Sequence, residues 1–433
     1  MASRGEPALV VVSIDGLSAS VVDDPTYRVP TLRGLAARGV RAERLEPVFP
    51  SVTWPCHTTL LTGVSPARHG VLGNHVFDRA QNRIIAHYGD RTERPLRAES
   101  LCERAARAGL RTAAVCWPKT RGMGCIDDNV PEFYEQELFE RYASRPLWDE
   151  LAELGLPISR YGEWSRVHGF GPQQDWLSLE VALHVLRRRA PHLMLLHFLV
   201  FDSFQHDHGV GSPEAVWALE YVDGLVARLL TALEERGHGW TTDVVVFGDH
   251  GFVDVERIAL PNGCFQDAGL LHVDRDGSIR RHEARVVSNG GSAHVYVAEG
   301  RRRAAVLDAL HEQLAALPGV AMVVGEKDFP ALGLPLPAED PTQGDLMITA
   351  AEGWHFADDL RQEAVPSRYR ATHGHLPGDP RMDAAFVAAG PSFVAGGRVA
   401  RLHHLDVAPT LAAVLGVALP AAERAPASAL LRR

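Results

Sequence analysis

Cysteine is scarce in this chain of 433 residues: five in all, with no CxxC spacing among Cys56, Cys102, Cys116, Cys125 and Cys264. An odd, scattered set argues against a disulfide framework and gives no support to a thiolate zinc site. Long apolar runs are missing too. The opening stretch MASRGEPALVVVSIDGL holds one run that stops at Ser13 and Asp15, too short for the core of a secretory signal. No later segment is long enough to span a bilayer. The expectation is a cytoplasmic, reduced protein with no membrane partner. An excess of positive charge is also lacking. The formal net charge of −10 argues against a nucleic-acid polymer as partner, because phosphate backbones are drawn to basic surfaces. Any phosphate handled here must be neutralised locally, by metal ions or a few cations. Lysine is nearly absent beside arginine, which makes Lys119 conspicuous. There are no internal repeats and no low-complexity segments.

What is present is ample core material, with a hydrophobic share of 46%, enough for a large unit and a smaller one. Ala8–Ile14 is a continuous β-branched run of the kind buried in parallel sheets. Thr112–Cys116, His192–Phe201 and Asp243–Phe247 read as further strands. Helical stretches alternate with them: Thr31–Arg38, about Ala98–Ala108, and Pro213–Arg236. This alternation predicts an α/β fold, with a mostly parallel sheet between helices on both faces. After about Val255 the texture loosens into α+β. A turn-rich Pro261–Gly277 precedes a strand at Ala293–Val297, a helix at Arg301–Leu317, a strand at Val320–Val324 and a Pro-rich stretch to Pro341. Ala384–Ala389 then resembles a core strand and Asp406–Leu415 a closing helix. The expected organisation is a discontinuous core, 1–255 plus 366–433, with a small α+β unit inserted at 256–365.

Open parallel sheets place their sites at the carboxyl ends of strands. Here those ends carry acids and histidines: Asp15 in SIDG, Asp202 and His206 in FDSFQHDHG, Asp249 and His250 in GDHG, and His373 downstream in THGH. An Asp ending a strand is usually a helix cap, and a lone His is usually structural. Three carboxylates and three imidazoles at strand ends together suit zinc or a related divalent ion. The second ingredient is Thr53, set before Trp54-Pro55 and an apolar-periodic stretch, Cys56–Thr62, that stops at Gly63. Thr53 is predicted to cap a helix N-terminus, where free amides favour an anion. Metal-activated, it could also attack phosphorus.

The motifs IDG, FPSVTWPxHTTLLTG, DSFQHDHG, GDHG and HG occur in that order. Together they resemble the type I phosphodiesterase/nucleotide pyrophosphatase branch of the alkaline phosphatase superfamily, over about 8–255 and 366–418. The resemblance implies an alkaline-phosphatase-like three-layer sandwich and two divalent metal ions, zinc by preference, about 4 Å apart. One would be held by Asp202, His206 and His373, the other by Asp15, Asp249, His250 and the Thr53 oxygen. Thr53 would displace the leaving group in line to give a phosphothreonine, which activated water would hydrolyse. The expected partner is a small organophosphate with a phosphodiester or pyrophosphate bond, nucleotide-type or other, and a homo-oligomer stays open.

One departure matters: Cys56 stands where the family commonly has an asparagine that donates to phosphate, and a thiol is a weak donor. Lys119 and Asn74 are candidates to approach the phosphate instead, with Trp54 beside the nucleophile. Tyr161, Trp164, Phe170 and Trp176, in a lid-like stretch at 120–175, could stack on a leaving group or simply form that segment's own core. A carbon–phosphorus hydrolase like the phosphonoacetate hydrolases, a phosphomonoesterase and a non-catalytic metal-binding relative remain alternatives. A sulfatase is a poorer fit, since Cys56 lacks the following Pro and Arg of sulfatase motifs.

Overall fold

The computed structural model describes residues 8–90, 95–235, 237–238, 241–275, 279–361 and 364–432. Its spine is a nine-stranded sheet. In spatial order the strands are Gly397–Val399, Val40–Glu46, Ala384–Ala389, Asp243–Phe247, Leu9–Ile14, Leu193–Phe198, Thr112–Trp117 and Asp128–Pro131, with Leu402–His403 also pairing Val40–Glu46. Leu9–Ile14 lies at the centre, parallel to both neighbours. Ala384–Ala389 is the exception, antiparallel to the strands on either side of it.

The first strand is buried on both faces and divides its side chains by parity. Val10, Val12 and Ile14 enter one core with the helices Gly171–Arg188 and Pro213–Glu235. Leu9 and Val11 enter the other, with Leu60 and Leu61 of the helix Thr53–Thr62 and Val407 and Leu411 of the helix His404–Val414. Each fully buried valine or leucine contributes about 2 kcal/mol. This is the three-layer arrangement expected from the sequence. The helix expected over Pro213–Arg236 runs Pro213–Glu235; Arg236, like Gly277, lies outside the described residues. The helix expected at Ala98–Ala108 is shorter, Leu101–Arg107, because Ser100 and Glu103 form a reciprocal capping box.

A second, four-stranded antiparallel sheet contains Ala284–Asn289, Ser292–Val297, Leu346–Ala350 and Val320–Gly325. The helix Arg303–Ala315 covers it through Val306, Leu310 and Leu314. Between the two sheets runs Val253–Ala259, which pairs Gly353–Phe356, Val365–Pro366 and Ala371–Thr372. That last short pairing delivers the following residue, His373, to the carboxyl edge of the main sheet. Among the described residues no helix is long and apolar enough to cross a membrane.

Candidate metal centre

Four segments meet at that edge. Asp15 follows the central strand, its N–H bonded to the Phe198 carbonyl at 2.9 Å. Gly16 turns the chain with φ +69°, and a Cβ there would sit 2.6 Å from the Phe252 ring. The Gly16 N–H, freed by that turn, holds Asp249 Oδ1 at 3.1 Å, as does the N–H of His250 at 3.1 Å. Asp249 Oδ2 is thereby left pointing into the cluster.

Asp202 and His206 arrive differently from the sequence expectation. The strand ends at Phe198, and Val200–His208 is a helix. The run HLMLLHFLVF spans both elements, and its break is set by a distant residue. The buried Asp175 carboxylate accepts the N–H groups of Leu199 and Val200 at 2.9–3.1 Å, capping a helix whose own sequence offers no cap. Asp202 and His206 are therefore one turn apart on a single helix face, with His206 Nε2 3.5 Å from Asp202 Oδ2.

The three imidazoles share one arrangement. Nδ1 of His206 faces the Ala371 carbonyl at 2.9 Å, that of His250 the Gly251 carbonyl at 3.2 Å, and that of His373 the Ser51 carbonyl at 3.3 Å. A carbonyl can only accept, so each Nδ1 carries the proton and each Nε2 presents a lone pair. Those lone pairs face oxygens. His250 Nε2 lies 3.4 Å from Asp15 Oδ1, 3.3 Å from Asp249 Oδ2 and 3.5 Å from Thr53 Oγ1. His373 Nε2 lies 3.7 Å from Asp202 Oδ1. Asp15 Oδ1, Asp202 Oδ1 and Asp249 Oδ2 are buried with no hydrogen-bond partner.

Burial also acts on the titrations. It raises Asp15 well above the usual carboxylate range, with Asp249 and Asp202 adding repulsion. It raises Asp202 to about 7, lowers His206 to about 4 and takes His373 well below the ordinary imidazole value. Acceptors facing acceptors repel. A divalent cation bound tetrahedrally at 2.0–2.1 Å spaces its donors about 3.3 Å apart, close to the separations seen here. Two groups of donors, Asp202/His206/His373 and Asp15/Asp202/His250, have ligand atoms that all lie within 4.8 Å of one another. Asp202 is common to both, and Asp249 joins the second through His250.

A family model for type I phosphodiesterases/nucleotide pyrophosphatases matches residues 9–376. The chain belongs to this family. An uncharacterised pyrophosphatase/phosphodiesterase of Schizosaccharomyces pombe is 24% identical over 277 residues, 62% of this chain and 50% of that protein. Human ectonucleotide pyrophosphatase/phosphodiesterase family member 1 is 24% identical over 57% of this chain and 23% of its own length. The chain thus spans half the length, or less, of these curated relatives. Murine ectonucleotide pyrophosphatase/phosphodiesterase 5 superposes with a TM-score of 0.69 at 18% identity, covering 95% of this chain and 96% of the murine one. Its inactive variant in complex with AMP gives 0.70 at 18% identity, covering 96% of each chain. The fold is alkaline-phosphatase-like.

In this phosphodiesterase-family chain Thr53 is the first helical residue rather than the cap. Val52 occupies the cap position, and Gly63 ends the helix at φ 71°. The helix therefore begins one residue earlier than expected. Its first-turn amides are also less available than the sequence suggested. The Trp54 N–H donates to Asn74 Oδ1 at 2.9 Å, Pro55 has none, and the Cys56 N–H goes to the Val52 carbonyl. The Thr53 N–H remains, without a recorded partner among the described residues.

A cavity of about 530 Å³ opens over the cluster and is lined by Asp15, Thr53, Asn74, Asp202, His206 and His373. Asn74 is held beside Thr53 by its bond to Trp54 and by its own N–H donating to Asn289 Oδ1 at 2.7 Å. The other substrate-contact candidates lie elsewhere. Trp54 is 2% exposed and stacks on His87 at 5.1 Å. Cys56 is fully buried, its thiol pushed up by burial and by Asp249. Lys119 is nearly buried, and its charge acts on His69.

Of the four lid aromatics only Trp164 lines the cavity. Tyr161 is buried against Ser178, its hydroxyl 2.5 Å from the serine oxygen. Sequence reasoning passed over Glu132, Tyr88, Tyr134, His168 and Tyr369, all in the cavity wall. It also passed over His57, which bridges the Thr53 carbonyl and Ser13 Oγ, each at 2.9 Å. No spacing rule marks the wall residues; only the topology gathers them.

Proposed function

We propose that this protein is a two-metal phosphodiesterase acting on small diesters or pyrophosphates through Thr53. The observation that carries the reading is that Nε2 of His206, His250 and His373 all face oxygens of Asp15, Asp202 and Asp249, three of those oxygens being buried without a hydrogen-bond partner, with the Thr53 hydroxyl 3.5 Å from His250 Nε2. Asp202, His206 and His373 would hold one ion, and Asp15, Asp249, His250 and Thr53 the other. When bound, the ions supply Lewis-acid neutralisation of the phosphoryl oxygens and lower the cost of deprotonating an oxygen nucleophile.

The chain's own groups then do the following. Thr53 Oγ1, fixed at the start of a buried helix, forms a bond to phosphorus while the bond to the leaving alcohol breaks. The departing oxygen takes up a proton. The Thr53 N–H and the amide of Asn74 stand beside the nucleophile as donors to the phosphoryl group, the role that Cys56 cannot fill. Water then attacks the phosphothreonine, releasing a phosphomonoester and restoring the hydroxyl. The AMP held by the structural neighbour supports a product of this class.

Two smaller readings accompany it. Residues 256–365 form an inserted α+β unit beside a discontinuous catalytic core. The five free cysteines suit a reducing, cytoplasmic setting. The deciding experiment is hydrolysis of bis-p-nitrophenyl phosphate, with p-nitrophenyl phosphate and a phosphonate alongside, before and after chelation and on return of zinc. Zinc-restored diester hydrolysis supports the proposal. Folded, zinc-replete protein that hydrolyses no ester overturns it.

A further inference from the structure

A buried serine interrupts an apolar row of the central strand. Leu9 and Val11 turn their side chains toward the helix Thr53–Thr62, and Ser13, next in the same parity, points the same way and is fully buried. A hydroxyl in such a row is costly unless it is hydrogen-bonded. Its partner is His57 Nε2 at 2.9 Å. Ser13 lies on the strand Leu9–Ile14, which leads directly into Asp15.

His57 has no part in the bond-making steps above, yet it is fully buried and commits both ring nitrogens to neighbours. Nδ1 lies 2.9 Å from the Thr53 carbonyl. The carbonyl can only accept, so Nδ1 carries the proton and Nε2 accepts from the Ser13 hydroxyl. The same Nδ1–H stands 3.5 Å from Asp249 Oδ2. Trp117, edge-on with centroids 5.1 Å apart, and His197, at 4.3 Å, hold the ring in place. One imidazole thus meets the nucleophile's own backbone, the strand that leads to Asp15 and the carboxylate of Asp249.

We propose that His57, keyed to Ser13, is the positioning residue that sets the Thr53 hydroxyl against His250 and the carboxylates around it. This deepens the proposed mechanism and rests on it. The Nδ1–H is the working side, since it meets both the Thr53 backbone and Asp249. The Ser13 bond keeps the ring from turning. An error of about 1 Å at a nucleophile costs about 10²-fold in rate.

Three variants separate the two sides of the ring. In His57→Asn the amide nitrogen takes the place of Nδ1, in His57→Gln it takes that of Nε2, and Ser13→Ala removes only the tether. The measurements are kcat and KM for bis-p-nitrophenyl phosphate at saturating zinc, and the crystal structure of each metal-free variant. His57→Gln should lower kcat about 10²-fold, and His57→Asn and Ser13→Ala about tenfold, with KM within about threefold. In the glutamine variant the separation of Thr53 Oγ1 from His250 Nε2, 3.5 Å in the wild type, should lengthen by about 1 Å. Glutamine is nearer to histidine in volume, so a packing role alone would make it the milder change.

An asparagine variant slower than the glutamine one, or an unmoved Thr53 in every variant, overturns the proposal and leaves the hydrolase standing. If the wild type turns over no ester, the hydrolase reading falls and the crystal structures decide alone. A displaced Thr53 then upholds the link, and one in place refutes it. If neither His57 variant folds, Ser13→Ala decides by the same two readings, the fall in kcat and the shift of Thr53.

Discussion

Replacing Asp202 by asparagine should change stability with opposite signs in the presence and absence of metal. Both donor groups use this carboxylate. Its Oδ1 has no hydrogen-bond partner, 16% of the side chain is exposed, and burial raises it to about 7. A carboxyl raised in the folded state stabilises fully below the ordinary value near 3.8, and that contribution is lost as pH rises through about 7. At pH 8 the metal-free wild type therefore bears the whole cost, about 4 kcal/mol as an upper bound and about 2–4 after allowance for solvent access.

The neutral amide of the Asp202→Asn variant would carry no such cost. At that pH His206 and His373, both lowered by burial, are neutral, so neither loses an ion pair. With unfolding entropy near 2.1 cal/mol/K per residue, 1 kcal/mol moves the melting temperature of a chain this long by about 1 °C. Chelated Asp202→Asn should thus melt about 2–4 °C above chelated wild type. With zinc the order reverses. Removing a charged partner from a buried pair costs about 3–5 kcal/mol, or about 10²–10⁴-fold in affinity, and the variant should melt below the wild type. Thermal melts at pH 8 with chelator and with zinc read both arms. A variant that melts lower in both conditions would show that Asp202 is a structural acid and refute the reasoning.

Thr53→Ala should lower turnover of bis-p-nitrophenyl phosphate by at least about 10³-fold while keeping zinc content and melting behaviour; near-normal rates would remove Thr53 from the chemistry. Affinity for the ion held by Asp202, His206 and His373 should rise about tenfold per pH unit between 5.5 and 6.5, because that ion must expel the proton Asp202 holds to about 7, whereas His206, at about 4, offers none to expel there. Flat affinity across that window in a calorimetric pH series would count against the cluster. Gly374→Ala should cost more than about 2 kcal/mol and displace His373: its φ is +91° and a Cβ would lie 2.2 Å from the Asn289 carbonyl oxygen. Wild-type stability in a denaturant titration would contradict that.

The layered fold was legible because its strands are short β-branched runs between amphipathic helices, and such runs state their burial openly. The candidate donor cluster was legible in part, because Asp15 and Asp249 sit just past runs that stop, whereas Asp202 and His206 lie on the helix that follows their strand. What escaped the sequence depended on contacts between distant segments. An apolar run could not say where its strand ended, since the cap on the next helix comes from Asp175, 24 residues earlier. Thr53 was placed one residue out, because Val52 has no capping chemistry to announce itself. Nothing in the sequence set Asn74 apart from Lys119. It lies against the first turn of the Thr53 helix, a proximity that a separation of 20 residues from Trp54 does not reveal. Glu132 follows the edge strand in a segment with no distinctive spacing, and only the parallel order of the strands brings it to the cavity.

The central claim is that three acids and three histidines at the carboxyl edge of the main sheet converge on a pair of cations beside Thr53. Anomalous X-ray diffraction at the zinc edge, on crystals of the zinc-replete protein, tests it most directly. The account predicts two peaks per chain, one among Asp202, His206 and His373 and one among Asp15, Asp249, His250 and Thr53. A map with no peak in the cluster, or with zinc bound only elsewhere on the chain, would contradict it.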